Sequence, residues 1–276
     1  MKYFLLCLGL IATGWAHAQD SQWFCDETQE GFATRWFDTD LGKQKAVMVY
    51  PEGATPSRLI VFIHGDSPFG DPVYQYYISR NIAKMTNAIA VAILRPGYRD
   101  GCGDWSEGDK GLMMGDNYTQ EVVHSLASVI TTIKEEEGIS ETVIMGHSGG
   151  AALTALLAES NPELADQSIL AACPCNLAAW RESMGKLTEN PEWSDPMGGL
   201  SPVEGVSQLD LNTPIYLYVG EEDVVTPPFL TTEFHDAADK RGAQVRMEII
   251  AGADHESIVS KAHLLRIFQE LGLARE

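Results

Sequence analysis

The chain is short of positive charge: lysine and arginine number 19 against 39 aspartates and glutamates, a formal net charge of −20. Phosphate backbones are held by clustered Lys and Arg, so this balance excludes nucleic acid as a partner and suits an anionic membrane surface no better. Acidity of this kind serves a solvated, soluble surface. No Cys/His cluster has zinc spacing, and no glycine-rich loop carries the lysine of a phosphate-binding loop. Asp100, Asp104, Glu107 and Asp109 faintly suggest a calcium loop, but the regular alternation and the distal bidentate Glu are missing. Neither a metal nor a cofactor is expected. After the first residues no apolar run reaches the length of a membrane span.

Residues 1–18 are the exception, and they read as a signal peptide. Met1-Lys2 supplies a positive start, an apolar core runs from Tyr3 to Trp15, and Ala16-His17-Ala18 gives a small-x-small cleavage site before Gln19. Export, to a periplasm or outside the cell, is the expectation. Cysteine is scarce, with 5 in all, and Cys7 would leave with the signal. Cys25, Cys102, Cys173 and Cys175 remain, an even number that suggests two disulfides in an oxidising compartment. A bond within Cys173-Pro174-Cys175 is disfavoured by its tight ring and stiff proline. The expected pairing therefore joins Cys25 and Cys102 each to one member of that triplet, with buried free thiols as the alternative. Asn117-Tyr118-Thr119 fits an N-glycosylation acceptor, relevant only in a eukaryotic host.

What the chain does have is regular alternation. With 45% hydrophobic and 21% charged residues it is globular in composition, and 276 residues fit one domain, here 19–276. Short apolar, β-branched runs at 58–63, 88–94, 141–145, 167–172, 214–219 and 245–250 read as buried strands. Helical patterns fall at 73–85, 118–137, 151–158, 228–241 and 256–271, with one or two further strands over 32–51. The expected fold is α/β, a mostly parallel central sheet with helices on both faces. A stretch rich in Gly, Pro and Trp, about 184–208, interrupts the alternation before the penultimate strand and reads as a small cap or loop insertion. Trp180, Trp193 and Met197, in or beside it, would line a pocket or pack on the domain core.

The chemistry concentrates where strands end. Gly146-His147-Ser148-Gly149-Gly150 lies between a strand and a helix, the setting of a nucleophile elbow. Small neighbours permit the sharp turn, and the helix N-terminus favours developing negative charge. Ser148 needs a base, and His255 sits just past the last strand, on the edge where the loops after parallel strands converge. Asp223, in Gly220-Glu221-Glu222-Asp223 after the penultimate strand, is the candidate acid; Glu221, Glu222 and Asp254 compete with it. Oxyanion donors are expected from the backbone of Gly149 and of Asp66 or Ser67, in the loop that His64 would brace.

The strand-His64-Gly65 loop, the elbow, the Gly220-x-x-Asp223 loop and the Gly252-x-Asp254-His255 loop, in that order, resemble the α/β-hydrolase superfamily over residues 41–275. The chain looks most like small single-domain esterases and the catalytic domains of prolyl-oligopeptidase-type peptidases. The resemblance implies a Ser-His-Asp mechanism without a cofactor, acting on a carboxylic ester or an amide, with Ser148, Asp223 and His255 as its catalytic set. A small-peptide peptidase and a non-catalytic binding protein on the same scaffold are the alternatives. The oligomeric state is not legible.

Overall fold

The computed structural model describes residues 23–26, 30–53, 56–195 and 198–275. The signal-peptide expectation for 1–18 and the pocket expectation for Met197 lie outside these residues. Eight strands form one open sheet: β1 (Phe32–Thr39), β2 (Gly42–Val49), β3 (Arg58–Ile63), β4 (Ile89–Ile93), β5 (Glu141–His147), β6 (Gln167–Ala171), β7 (Ile215–Gly220) and β8 (Val245–Ile250). Their spatial order is β1-β2-β4-β3-β5-β6-β7-β8. The β1/β2 and β2/β4 pairs are antiparallel, and every pair from β4 to β8 is parallel.

Alternation along the strands divides the core in two. Leu59, Val61 and Ile63 pack on one face with helices α2 (Gln120–Glu137), α3 (Gly149–Ser160), α4 (Leu177–Thr188) and α5 (Pro228–Arg241). Ile60 and Phe62 face the other side with α1 (Tyr74–Met85) and α6 (Lys261–Glu270). Burial on both faces explains the near-continuous apolar runs that marked these strands in the sequence. Because the chain passes from β3 to β4 on one side and to β5 on the other, the strand order reverses at β3, the switch point beside which open α/β sheets carry their sites. Asp66 and Ser148 lie in those two loops. Among the described residues no helix is long and apolar enough to cross a membrane.

Three expectations need correction. The cysteines pair as Cys25–Cys102 and Cys173–Cys175, with Cα–Cα separations of 5.5 and 5.1 Å. Cross-bridging is ruled out by placement: Cys173 and Cys175 are buried in the cluster on the α2–α5 face, whereas Cys102 packs against the opposite cluster. The segment carrying Cys25 lies there too, with Phe24 stacked on Tyr76 at 4.5 Å. The chain also turns sharply just before Cys173, with Ala172 at φ 54°. Secondly, the stretch between β6 and β7 is less irregular than its composition suggested. It contains all of α4, capped by the Asn176 side chain, which accepts from the Ala179 N–H. Short helical turns follow at Pro191–Ser194 and Pro202–Gly205. Trp193 is no pocket wall: it is buried edge-on against Trp180 at 5.5 Å. Thirdly, Asn117 is not a surface acceptor; it is buried, its amide donating to the Pro96 and Asp109 carbonyls and accepting from Arg95.

The acidic loop after β4 is likewise spent internally. Asp100 and Asp104 converge on the Lys45 ammonium at 2.7 and 2.6 Å, with Tyr76 donating to Asp100. Glu107 and Asp109 accept from the backbone of Lys43 and Gly111.

Candidate active site

Ser148 is one of the few residues with a side chain at positive φ, 54° with ψ −125°. The turn is possible because its surroundings are glycine. A Cβ at Gly146 would collide with the Gly150 carbonyl, and one at Gly150 with the carbonyls of Ile63 and His64. The N-terminus of α3 is therefore pressed directly onto β3 and β5. Ser148 N–H donates to the Ala171 carbonyl, tying the turn to β6, and the Ser148 carbonyl opens the helix by accepting from Ala151 and Ala152. Backbone held off the common regions by such surroundings is characteristic of functional turns.

Asp223 and His255 arrive on the loops after β7 and β8. The two loops touch: Glu222 N–H donates to the Ala253 carbonyl, and any side chain at Gly220 would strike that same carbonyl. His255 Nδ1 donates to Asp223 Oδ2 at 2.8 Å, with both residues buried. Asp223 is saturated by other donors as well. Its Oδ1 accepts the Val225 and Thr226 N–H groups at 2.9 and 2.7 Å, and its Oδ2 accepts the Thr226 hydroxyl at 2.8 Å. Burial alone would raise the Asp223 carboxyl; the His255 charge and these hydrogen bonds outweigh it and hold its pKa below the usual value. Burial pulls His255 down, but the charge of Asp223 and its hydrogen bond prevail, with Glu256 and Asp254 adding, so its pKa is raised. The competing acids stand aside. Glu221 and Glu222 are exposed, and Asp254 accepts from the Ser257 N–H at 2.8 Å.

The loop after β3 is built around a buried guanidinium. Arg95 Nη1 reaches the Asp66 carboxylate at 3.0 Å and the His64 carbonyl at 3.2 Å, and Nη2 donates to Asn117 Oδ1 at 2.8 Å. The Tyr98 and Tyr118 hydroxyls donate to the same carboxylate at 3.1 and 2.6 Å. His64 is held by both ring nitrogens, Nδ1 donating to the Gly65 carbonyl and Nε2 accepting the Arg95 N–H. Burial, with Arg95 beside it, drives its pKa well down. A wholly buried, neutral imidazole committed at both ends braces the loop and has no lone pair left for general-base work.

Three backbone N–H groups in this loop could face a developing oxyanion. Gly65 N–H donates to the Tyr74 hydroxyl at 2.5 Å. The Asp66 and Ser67 N–H groups make no such bond among the described residues. Gly149, the first residue of α3, has an N–H without an intrahelical partner. A Cβ at Gly149 would press on the Asp66 carboxylate at 2.8 Å, so the Asp66 loop and the start of α3 lie against each other.

Several of these residues escape a reading of the sequence. Thr226 follows Asp223 by the three-residue spacing of an Asx-type turn, a signal available but not distinctive. Arg95, a lone cation ending a buried strand, was the better clue, because a charge so placed must meet a partner. Tyr74, Tyr98 and Tyr118 carry no local signature.

The architecture is shared widely. An esterase of Pyrobaculum calidifontis superposes with a TM-score of 0.64 at 14% identity, over 91% of this chain and 88% of that one. An esterase of Pyrococcus furiosus gives 0.63 at 14% identity, over 87% and 92%. An acylaminoacyl peptidase of Pyrococcus horikoshii gives 0.65 at 17% identity, over 89% of this chain and 42% of that longer one. Such identities establish the α/β-hydrolase fold. No curated protein matches the sequence. The model of the prolyl oligopeptidase family, however, matches residues 113–271, more than half the chain and the whole span from the loop before α2 to the end of α6. That span carries the elbow, the Asp223 loop and the His255 loop in order, and on it the chain belongs to the prolyl oligopeptidase family.

Proposed function

We propose that the chain is an exported serine hydrolase that cleaves a carboxylic ester through an acyl-enzyme on Ser148. The observation that carries this reading is the buried 2.8 Å contact between His255 Nδ1 and Asp223 Oδ2, on the loops beside the Ser148 turn. With Nδ1–H committed to the carboxylate, the lone pair of His255 is on Nε2, the tautomer a general base needs. Ser148 Oγ attacks the carbonyl carbon and its proton passes to Nε2. The oxyanion is received by the N–H groups of Gly149 and Asp66. Collapse returns the proton to the leaving alkoxide, and water, activated by the same imidazole, releases the acid. Asp66 rather than Ser67 fits as the second donor, because Asp66 lies against the start of α3, where a Cβ at Gly149 would come within 2.8 Å of its carboxylate.

Phe69, Leu112 and Val224 are exposed on the loops after β3, β4 and β7, at the same edge as Ser148, and favour an ester with an apolar chain. Membership of the prolyl oligopeptidase family supports a second reading, a peptidase acting on short peptides. Comparing turnover of p-nitrophenyl esters of increasing chain length with that of aminoacyl-p-nitroanilides separates the two. The ester reading expects esters to be preferred and Ser148→Ala to lose several orders of magnitude in kcat. Anilide turnover above ester turnover would replace it with the peptidase reading. Export predicts that protein recovered outside the cytoplasm begins at Gln19.

A further inference from the structure

Behind the reacting groups, three loops are joined by one directed chain of hydrogen bonds. Gly65 N–H, in the loop after β3, donates to the Tyr74 oxygen at 2.5 Å. The Tyr74 hydroxyl meets His147 Nδ1 at 3.0 Å, and His147 Nε2 meets the main-chain carbonyl of His255 at 2.8 Å. The last contact fixes the protons along the chain. A carbonyl only accepts, so Nε2 carries the hydrogen and donates it. Nδ1 of the neutral ring is then a lone pair that accepts the Tyr74 hydroxyl, leaving the phenol oxygen free to accept the Gly65 N–H. Each group has a partner, and the direction does not reverse.

Protonation of His147 would break this order. Its Nδ1–H and the Gly65 N–H would then both press on the Tyr74 oxygen, whose own proton would have no acceptor along the chain. The site prevents this: burial, and then the neighbouring His255, bring His147 down to about 3. The rings of His147 and His255 lie 4.9 Å apart, so the elbow imidazole supports the base loop from beneath. Tyr74 is held in turn by the ring of Phe62 on β3, edge-on at 6.0 Å. Gly65 is close enough to the nucleophile that a Cβ there would lie 2.9 Å from Ser148 Cβ.

We propose that Tyr74 and His147 are positioning residues that set the oxyanion loop, the nucleophile elbow and the base loop in register through this chain. The proposal rests on the hydrolase reading above. Neither residue touches the reacting atoms; each acts on groups that do. Tyr74 holds the His64–Gly65 peptide, one residue before the Asp66 N–H, and His147 places the backbone from which the His255 imidazole projects. Displacement of such groups by about 1 Å is enough to cost up to a hundredfold in rate.

The test compares Tyr74→Phe, His147→Leu, His147→Gln and the Tyr74→Phe/His147→Leu double variant, by ester kinetics, melting temperature and fluorophosphonate labelling. Tyr74→Phe and His147→Leu should each lower kcat about ten- to a hundredfold with KM nearly unchanged. The double variant should lose little more than the worse single one, because both cut the same chain. His147→Gln, which keeps an N–H donor for the His255 carbonyl, should recover part of the loss. If His147→Leu does not fold, Tyr74→Phe, which deletes one oxygen, still decides. Folded variants with wild-type kcat, or a double loss equal to the product of the single ones, would overturn the proposal while leaving the hydrolase reading intact. Wild-type protein inert to both the probe and the esters would remove that reading, and this inference with it.

Discussion

At the scale of single residues, the proposed reaction turns on which groups carry protons. His255 must be neutral to take the Ser148 proton, and Asp223 holds its pKa above the ordinary 6.5. The rate should therefore fall on the acid side, with a midpoint in kcat/KM above 6.5 set by formation of the imidazolium. Asp223→Asn removes the charge that sustains the shift, so the residual activity of that variant should show a lower midpoint; an unmoved midpoint would detach Asp223 from His255. A second buried carboxyl behaves oppositely. Glu159, near the end of α3, is raised to about 9 by burial alone. The folded chain thus keeps a proton that the unfolded chain releases near 4.5, so the contribution of Glu159 to stability is greatest below that pH and declines toward 9. Glu159→Gln should flatten this decline and raise the melting temperature at pH 8 more than at pH 5. An equal shift at both values would show that the carboxyl is solvated or paired.

At the scale of elements, the strands and the catalytic-edge loops were legible because their burial is written into the sequence. The runs at 58–63 and 245–250 coincide with β3 and β8, and the elbow declared itself by glycine on both sides of Ser148. Asp223 and His255 were readable as candidates because each follows a strand and the parallel sheet brings those ends together. What failed was whatever depends on contacts between distant segments. Composition hid α4, whose helix is fixed by the Asn176 cap and by Trp180 and Leu177 entering the core. Periodicity could not say that Cys25 and Cys102 meet while Cys173 stays on the other face. The anchoring of Asp66 by Arg95, Tyr98 and Tyr118 was invisible for the same reason. The pairing has its own consequence. The Cys25–Cys102 bond spans 77 residues and, on the chain-entropy account, is worth about 4.5 kcal/mol. Cys173–Cys175, with a sequence separation of 2, constrains the unfolded chain far less. Replacing the first pair by alanine should lower the melting temperature clearly more than replacing the second. The reverse ranking would contradict the pairing.

At the scale of the whole molecule, an open eight-stranded sheet gathers the Asp66 loop, the Ser148 elbow, the Asp223 turn and the His255 loop along one edge. The excess of 39 acidic over 19 basic residues adds solubility without entering the chemistry, since the exposed Glu221 and Glu222 leave the Asp223–His255 pair untouched. The fold is common to esterases and peptidases, so the bond that is cleaved is decided by the site and not by the scaffold. Everything proposed for the site depends on Ser148 being a nucleophile activated by His255. Fluorophosphonate labelling followed by mass mapping of the adduct tests it most directly. A nucleophilic Ser148 predicts a single adduct on that residue, none on that peptide in Ser148→Ala, and labelling slowed by orders of magnitude in folded His255→Ala. An adduct on another residue, or ester turnover undiminished in Ser148→Ala, would contradict it.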